Sequence, residues 1–290
     1  MNGIASPHAT IRTVGILGSG IMGAGLVEVT ARAGYQVIAR SRSQASADAL
    51  IRTLEKALVR HVERQKLTAD EADAILSRVT PTADVEKLGG CDLVIESVVE
   101  DLEVKRELFA AVSEVVEPHA ILTTNTSTLP VIEMAMATRH PERVCGAHFF
   151  NPAPAMRLVE IVRPITAADT TVSDVVAFAE SCGKDAIHVA DRAGFVVNAL
   201  LFPYLNNAIK MLERGTATME DIDSAMKGGC NFPMGPFALL DLVGLDTTLS
   251  ILDALYDEFR DPNYAAAPTL RRMVSAGWFG RKTGRGFYQY

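Results

Sequence analysis

The feature that most constrains the fold is a glycine-rich turn that joins an apolar run to a helical stretch near the N-terminus. The run TVGIL at 13–17 is β-branched and aliphatic, and Gly18-Ser-Gly-Ile-Met-Gly23 follows it directly. This order is typical of a buried parallel strand and a tight turn. A helical pattern then continues to Ala33, stops at Gly34 and gives way to a second apolar run at 37–39. Strand, turn, helix and strand within about 30 residues predict a βαβ unit.

The segment that follows continues this alternation. Residues 44–78 predict two helices, since Leu50, Leu54 and Leu58 recur with helical spacing and a second pattern begins near Thr68. Further strands are predicted at 92–96, 120–124, 143–148, 157–162 and 186–190, with helices at 102–117 and 169–182. We therefore expect an α/β fold, with a Rossmann-type doubly wound sheet over residues 1–193 and a helical arm at about 44–78.

The last third of the chain changes to an all-helical pattern. Val197, Leu201, Leu205, Ile209 and Leu212 recur with helical period. Three later segments also predict helices, at 219–227, 236–259 and 268–276. Because 290 residues can fill more than one hydrophobic core, we expect a second, all-α domain over residues 194–290.

Composition excludes several classes of function. A formal net charge of −7 disfavours a nucleic-acid partner, because neutralising phosphates needs surplus Lys and Arg. The four cysteines lie without CxxC or Cys–His clustering, so neither a metal site nor a disulfide framework is predicted. The first eleven residues lack a signal-peptide pattern, and the most apolar later stretch, 237–255, is interrupted by aspartates. We expect a cytoplasmic protein that has no membrane segment and keeps its thiols reduced.

The glycine-rich turn predicts dinucleotide binding, because it has the context that an isolated GxGxxG motif lacks. Gly18 permits the tight turn, Gly20 lets the backbone approach a pyrophosphate, and Gly23 lets helix and strand pack closely. The amides at the helix N-terminus, including those of Ile21 and Met22, are donors for the phosphates. The alternative is a glycine-rich turn that binds no ligand.

The end of the second strand bears on the choice of cofactor. A sheet of this kind that selects NAD has Asp or Glu there, which accepts a hydrogen bond from the ribose 2′-hydroxyl. This chain has Arg40-Ser41-Arg42 instead, with no carboxylate before Asp48. Guanidinium and hydroxyl groups are suitable donors for a 2′-phosphate, so we expect NADP(H) to be favoured over NAD(H). The alternative is that both arginines are solvated surface charges.

Polar segments near three predicted strand ends suggest a chemical site, since ligands bind at the carboxyl ends of strands in such sheets. If an alcohol loses a hydride there, His148 is the natural base for the hydroxyl proton. Glu160 could hold its second ring nitrogen, and Ser127 and Asn198 could bind the reacting oxygen. Each of these residues also has an ordinary structural role open to it, and spacing alone does not decide between the two.

Segments along nearly the whole chain resemble signatures of the 3-hydroxyacyl-CoA dehydrogenase family, and of its short-chain bacterial 3-hydroxybutyryl-CoA members above all. They are GSGIMGAG, DLVIESVVEDLEVKRELF, TTNTSTLP, GAHFFNPAPAMRLVEIV, GFVVNALL, PMGPFALLDLVGLD and GRKTGRGFYQY. The resemblance implies interconversion of a short (3S)-3-hydroxyacyl-CoA and its 3-oxoacyl-CoA. It implies His148 as catalytic acid or base, Glu160 as its partner, and Ser127 and Asn198 as contacts of the reacting oxygen. It further implies that the dinucleotide contacts Glu100, Lys105, Asn151 and Lys282.

The sequence departs from the family pattern at three positions. Ser41 stands where an Asp is usual, Phe232 where a His is usual, and Ala199 where many relatives have Arg. The departure at Ser41 concerns the preference for NAD(H) as cofactor. The departures at Phe232 and Ala199 concern the identity of the acyl chain. In the family the helical arm lies by coenzyme A, so Thr53 and Arg60 are predicted to contact it; a solvated basic helix face is the alternative.

The resemblance also brings in other hypotheses. Some relatives act on carrier-protein-bound hydroxyacyl groups, and a lens crystallin of this family has a structural role, although all four predicted catalytic residues are present here. Family members pair their helical domains across a two-fold axis. Leu201, Leu205, Ile209 and Leu212 form an apolar stripe that one small domain need not cover, so we predict a homodimer through this domain.

Overall fold

The computed structural model describes residues 11–290. Residues 1–10, in which no signal peptide is predicted, lie outside the described residues. The chain divides into two compact units, Met1–Asp191 and Arg192–Tyr290. This division lies two residues before the boundary that the sequence predicts.

The first unit is built on an eight-stranded sheet. Its strands are β1 (Thr13–Leu17), β2 (Gln36–Arg40), β3 (Val79–Thr82), β4 (Leu93–Glu96), β5 (Ile121–Thr124), β6 (Val144–Phe149), β7 (Leu158–Arg163) and β8 (Asp185–Ala190). They lie in the order β3-β2-β1-β4-β5-β6-β7-β8. The β6–β7 pair is antiparallel and the other neighbours are parallel. The strand order reverses at β1 and β4, so the fold has a topological switch point at their carboxyl ends.

Seven of these strands are the predicted ones, and β3 is the one that the sequence does not predict. Its sequence VTPT contains Pro81, which lacks a backbone donor and is depleted in strands. The position of β3 at the edge of the sheet explains why proline is tolerated there.

Six α-helices accompany the sheet within residues 11–191. They are α1 (Ile21–Arg32), α2 (Gln44–Glu63), α3 (Ala69–Ser77), α4 (Leu102–Val115), α5 (Val131–Ala135) and α6 (Asp169–Ser181). The predicted arm is α2 and α3: α2 buries Leu50, Leu54 and Leu58 in the core of the unit, and α3 begins with a capping box between Thr68 and Glu71. These elements confirm the predicted Rossmann-type unit with a helical arm.

The second unit is helical, as predicted. Its helices are α7 (Val197–Glu213), α8 (Met219–Cys230), α9 (Pro236–Val243), α10 (Leu245–Phe259) and α11 (Pro268–Ser275). The single segment predicted at 236–259 is two helices, because Gly244 lies between them with φ 104°, a conformation that ends a helix.

One premise of the dimer prediction is wrong. Leu205 and Ile209 are 0 % exposed in the core of the second unit, and Leu201 and Leu212 pack against that core. The predicted stripe is therefore used within the unit. The apolar side chains that α7 leaves exposed are Leu200 and Met211.

The remaining predictions from composition concern the thiols, metals and membranes. All four cysteines are free, and burial raises the pKa of Cys91, Cys145 and Cys182 to about 12. Within residues 11–290, no group of three His, Cys, Asp or Glu side chains is placed to hold a metal ion. No helix in that part of the chain has the length and apolar character needed to cross a membrane.

Candidate active site

The glycines of the turn after β1 have different structural constraints. Gly18 has φ 117°, and a Cβ there would collide with the carbonyl oxygen of Ser97. A Cβ on Gly23 would collide with the carbonyl oxygen of Gly18, so this glycine permits the close packing of α1 against the turn. A Cβ on Gly20 would meet no atom of the described residues within 4 Å. Close contacts within the protein explain Gly18 and Gly23, whereas there is open space beside the backbone of Gly20.

The N-terminus of α1 opens onto this space. Gly20 is its N-cap residue, no side chain caps the helix, and its first turn has no acidic residue. Unpaired amides and the positive end of the helix dipole at such a position bind phosphate groups. The open space at Gly20 and the uncapped amides together fit a dinucleotide pyrophosphate.

The residues at the end of β2 lie directly beside the turn. Gly18 donates its amide to the carbonyl of Arg40 at 3.0 Å, and Ser41 donates its amide to Thr82 at 2.9 Å. Ser41 is 2 % exposed, while Arg42 is exposed. The hydroxyl of Ser41 and Nε of Arg40 are both buried and have no hydrogen-bond partner within the described part of the chain. Two buried polar groups without partners are unusual, and they fit a site for a polar group of the ligand.

His148 and Glu160 form a buried polar pair across β6 and β7. They are direct partners in the β6–β7 register, and Nδ1 of His148 lies 2.7 Å from Oε2 of Glu160. Both residues are buried, with exposures of 6 % and 0 %. A carboxylate at Nδ1 holds the neutral ring in the tautomer whose basic atom is Nε2, and it stabilises the imidazolium once Nε2 is protonated. The structure thus brings together two predicted residues in the arrangement of a general acid–base catalyst.

Ser127 lies in the loop after β5, and Glu100 holds that loop. Oε1 of Glu100 accepts hydrogen bonds from the hydroxyl of Thr126 at 2.5 Å and from the amide of Ser127 at 2.9 Å. The hydroxyl of Ser127 lies 3.4 Å from the same oxygen. Asn125 connects this loop to β6, because its Oδ1 accepts the amide of Phe149 at 2.7 Å. The loop is therefore fixed at the edge of the sheet where His148 lies.

The environment of Glu100 determines its charge. Burial alone would raise the pKa of this carboxyl group, but the Lys105 ammonium and the hydrogen bonds from Thr126 and Ser127 outweigh it and hold the pKa below its ordinary value. Glu100 is therefore ionised at neutral pH.

Lys105, for which the resemblance implies a dinucleotide contact, lies in a buried cluster with two carboxylates. It is 1 % exposed, and its Nζ lies 2.7 Å from Oε1 of Glu96 and 3.2 Å from Oε2 of Glu100. The ammonium is thus paired with two carboxylates, and the dinucleotide contact implied for it stays a prediction. Glu96 is a polar residue of the site that sequence reasoning missed. A carboxylate at the end of the apolar strand LVIE is the signal that could have found it.

The other predicted contacts lie on separate elements of the two units. Asn151 is exposed in the loop after β6, and Thr53 and Arg60 are exposed on α2. In the second unit, Asn198 is 8 % exposed near the start of α7. Lys282 pairs with Asp246 at 2.5 Å.

Known proteins are similar to this chain over both units. The family model described as 3-hydroxyacyl-CoA dehydrogenase, NAD binding domain, matches residues 13–192, and that of the 3-hydroxyacyl-CoA dehydrogenase C-terminal domain matches residues 194–290. The 3-hydroxybutyryl-CoA dehydrogenase of Mycobacterium tuberculosis is 47 % identical over 97 % of this chain and 99 % of its own. The human mitochondrial hydroxyacyl-coenzyme A dehydrogenase is 39 % identical over 97 % of this chain and 91 % of its own.

Solved structures are also similar to this chain over nearly its whole length. The crystal structure of (S)-3-hydroxybutyryl-CoA dehydrogenase from Ralstonia eutropha matches with a TM-score of 0.95 and 40 % identity, and the match covers 97 % of this chain and 99 % of that one. A structure of a diketoreductase matches with a TM-score of 0.84 and 28 % identity over 97 % of this chain and 99 % of that one.

Proposed function

Since the chain belongs to the 3-hydroxyacyl-CoA dehydrogenase family, we propose that it interconverts a short-chain (3S)-3-hydroxyacyl-CoA, such as 3-hydroxybutyryl-CoA, and the corresponding 3-oxoacyl-CoA. The observation that carries the proposal is the buried His148–Glu160 pair. It lies near the carboxyl end of β6, at the same edge of the sheet as the Gly18 turn. Relatives that are similar over nearly their whole length have this activity in their names.

The pair performs the proton step of the proposed reaction. When bound, an oxidised nicotinamide would supply the acceptor for the hydride that leaves C3 of the hydroxyacyl group. His148 accepts the hydroxyl proton at Nε2 while the C3–O bond becomes a carbonyl, and Glu160 stabilises the imidazolium that results. In the reduction, protonated His148 returns the proton to the oxygen as the hydride reaches C3. Without a base, the C3 hydroxyl would have to lose its proton unaided at neutral pH, which is difficult for an alcohol.

The reacting oxygen also needs hydrogen-bond donors that hold it in place. We assign this role to Ser127, whose loop is fixed by Glu100. The same role for Asn198, and dinucleotide contacts for Asn151 and Lys282, rest on the family resemblance. Donors placed in advance of the reaction cost no reorganisation when charge develops on the oxygen.

The cofactor is a nicotinamide dinucleotide, and we propose NADP(H) as the favoured form. Ser41 replaces the carboxylate that would repel a 2′-phosphate. The Nε of Arg40 and the hydroxyl of Ser41, which have no hydrogen-bond partner among residues 11–290, are donors suited to that phosphate. Exposed Arg42 supplies further positive charge at the same strand end.

The acyl-CoA substrate is proposed to lie along the helical arm. Thr53 and Arg60 are exposed on α2, where Arg60 could pair with a phosphate of coenzyme A. No nucleic acid or membrane enters the proposal. We place the enzyme in the cytoplasm, where its free thiols remain reduced.

The proposed assembly is a homodimer through the second unit. Leu200 and Met211 are 73 % and 44 % exposed, and their spacing puts them on one face of α7 together with Tyr204. The ring of Tyr204 contacts Phe232, which is itself 41 % exposed. An exposed apolar face of this kind marks an interface, and a second copy is the partner that forms a closed two-fold dimer.

One assay tests the proposed function. Acetoacetyl-CoA reduction is followed with NADH and NADPH side by side, and acetoacetyl-carrier protein is supplied in a parallel reaction. We expect turnover of the coenzyme A ester, and we expect His148→Gln to lower it by about 10²–10⁴-fold. A preference for the carrier-bound substrate would indicate a biosynthetic enzyme instead. Absence of turnover with both substrates would favour a structural role like that of the lens crystallin.

A further inference from the structure

Glu96 and Lys105 form a buried ion pair that the proton step does not use. Oε1 and Oε2 of Glu96 lie 2.7 and 2.9 Å from Nζ of Lys105, and the two residues are 0 % and 1 % exposed. Glu96 also accepts the amide of Val98 at 2.6 Å and the hydroxyl of Thr124 at 2.7 Å. These four hydrogen bonds, from three groups, hold the carboxylate of Glu96 in one orientation.

The fixed carboxylate in turn fixes the ammonium. An ammonium group has three donors, and two of them are directed to the oxygens of Glu96. Nζ of Lys105 also lies 3.2 Å from Oε2 of Glu100, within ion-pair distance. Lys105 therefore transmits the position of the buried Glu96 to a carboxylate whose side chain is 39 % exposed.

Glu100 extends this chain of contacts to the reactive loop. One of its oxygens contacts Lys105 and the other accepts the amide of Ser127 at 2.9 Å. The contacts thus run from Glu96 through Lys105 and Glu100 to Ser127, from the interior of the sheet to its ligand-binding edge.

We propose that Glu96 is a positioning residue of the reaction, which acts through Lys105 and Glu100 to hold the Ser127 loop where it binds the reacting oxygen of the substrate. This inference rests on the function proposed above for Ser127. It also gives Lys105 a different role from the direct dinucleotide contact that the sequence predicts. A merely structural ion pair would stabilise the fold without affecting this loop.

The experiment separates the two roles with three variants. Glu96→Gln removes one of the two carboxylates that pair with Lys105, and Lys105→Met leaves the buried carboxylate of Glu96 without its ammonium. Breaking a buried ion pair is costly, so either variant can lower stability for that reason alone. The double variant Glu96→Gln/Lys105→Met removes both charges of the pair, and we expect its melting temperature to return toward that of the wild type. It still lacks the ammonium that holds Glu100.

Two measurements are made on the double variant. Hydrogen exchange at the Ser127 amide reports whether the bond to Glu100 persists, and it does not depend on turnover. The value of kcat reports whether the loop is in place during the reaction. We expect faster exchange at Ser127 and a fall in kcat of about 10²-fold, the usual cost of misplacing a reacting group.

Asp92→Asn is the matched control. Asp92 precedes the same strand β4 at its opposite end, where its Oδ2 accepts the amides of Arg12 and Thr13 at 2.8 and 3.0 Å. This variant should lose stability while Ser127 exchange and kcat remain near those of the wild type. If kcat recovers together with stability in the double variant, or if Ser127 exchange is unchanged, the positioning role is wrong. Failure of the proposed function is distinct from this result, since it would appear as absent turnover in the wild-type enzyme.

Discussion

His148 and Glu160 face each other across the antiparallel β6–β7 pair, with 2.7 Å between Nδ1 and Oε2. Directly opposite residues of an antiparallel pair project to the same face. A slip of one residue in the register would move one of the two side chains to the other face of the sheet. The backbone pairing of two strands therefore determines the geometry of the proposed catalytic pair.

The first prediction follows from this pair. His148→Gln should lower kcat by about 10²–10⁴-fold, the usual contribution of general acid–base catalysis. Glu160→Gln should cost less, because the imidazole remains and loses only the charge that stabilises its protonated form. Steady-state kinetics with acetoacetyl-CoA measure both effects, and circular dichroism checks that each variant is folded. Near-normal turnover by a folded His148→Gln enzyme would remove His148 from this role.

Much of this site could be predicted from the sequence because its signals are local. The turn from Gly18 to Gly23 follows a strand and precedes a helix, and this local pattern identifies the dinucleotide-binding fold. His148 and Glu160 each lie in strands with clear apolar patterns. That they are cross-strand partners depends on the antiparallel direction of β7, which no local pattern reveals.

What the sequence did not predict depends on tertiary packing. The edge position of β3 overrides the unfavourable Pro81. The sequence around Glu96 does not show which side chains contact it. The fold brings Lys105 and Thr124 into hydrogen-bond distance of its carboxylate. The stripe containing Leu205 was assigned to an interface because periodicity shows that a face is buried and does not show what buries it.

The second prediction compares two glycines of the same turn. Gly23→Ala should destabilise the first unit, because its Cβ would collide with the carbonyl of Gly18, whereas Gly20→Ala should leave stability nearly unchanged, because its Cβ would meet nothing within 4 Å. Gly20→Ala should instead weaken dinucleotide binding, since its methyl group takes the space where the pyrophosphate approaches the backbone. Thermal unfolding and fluorescence titration with NADH and NADPH measure the two effects. Equal losses of stability in the two variants would contradict this assignment.

The third prediction concerns Glu100 and pH. The pKa of Glu100 is lowered in the folded protein from the ordinary value of 4.5, so its charge stabilises the fold above that value and the contribution is lost as pH falls through the folded pKa. Glu100→Gln should lack this contribution at every pH. The difference in melting temperature between wild type and variant should therefore be full near neutral pH and shrink below about pH 4. A difference that grows as the pH falls would show that the sign of the shift is wrong.

The fourth prediction tests the proposed dimer. Leu200 is 73 % exposed on α7, and Leu200→Glu would place a charge in the proposed two-fold interface at a large desolvation cost. Light scattering at micromolar concentration should give the mass of a dimer for the wild type and of a monomer for this variant. Ile165→Glu is the control, since Ile165 is 96 % exposed in the first unit and should not alter the mass. A monomeric wild-type protein would refute the proposed assembly.

The last prediction concerns the choice of cofactor, which depends on the end of β2. Ser41 is buried beside the turn, and the buried Nε of Arg40 has no hydrogen-bond partner in the part of the chain that the structure describes. If a guanidinium binds the 2′-phosphate, a charge-assisted hydrogen bond of about 1.5–3 kcal/mol favours NADPH over NADH by roughly one to two orders of magnitude. Ser41→Asp should reverse this preference, because a carboxylate there repels the phosphate and accepts from the ribose diol. The ratio of kcat/KM for the two cofactors measures the effect, and Arg40→Gln and Arg42→Gln, made separately, show which guanidinium carries it. A wild-type ratio that strongly favours NADH would refute the proposal, as would a Ser41→Asp enzyme that uses NADPH as well as the wild type does.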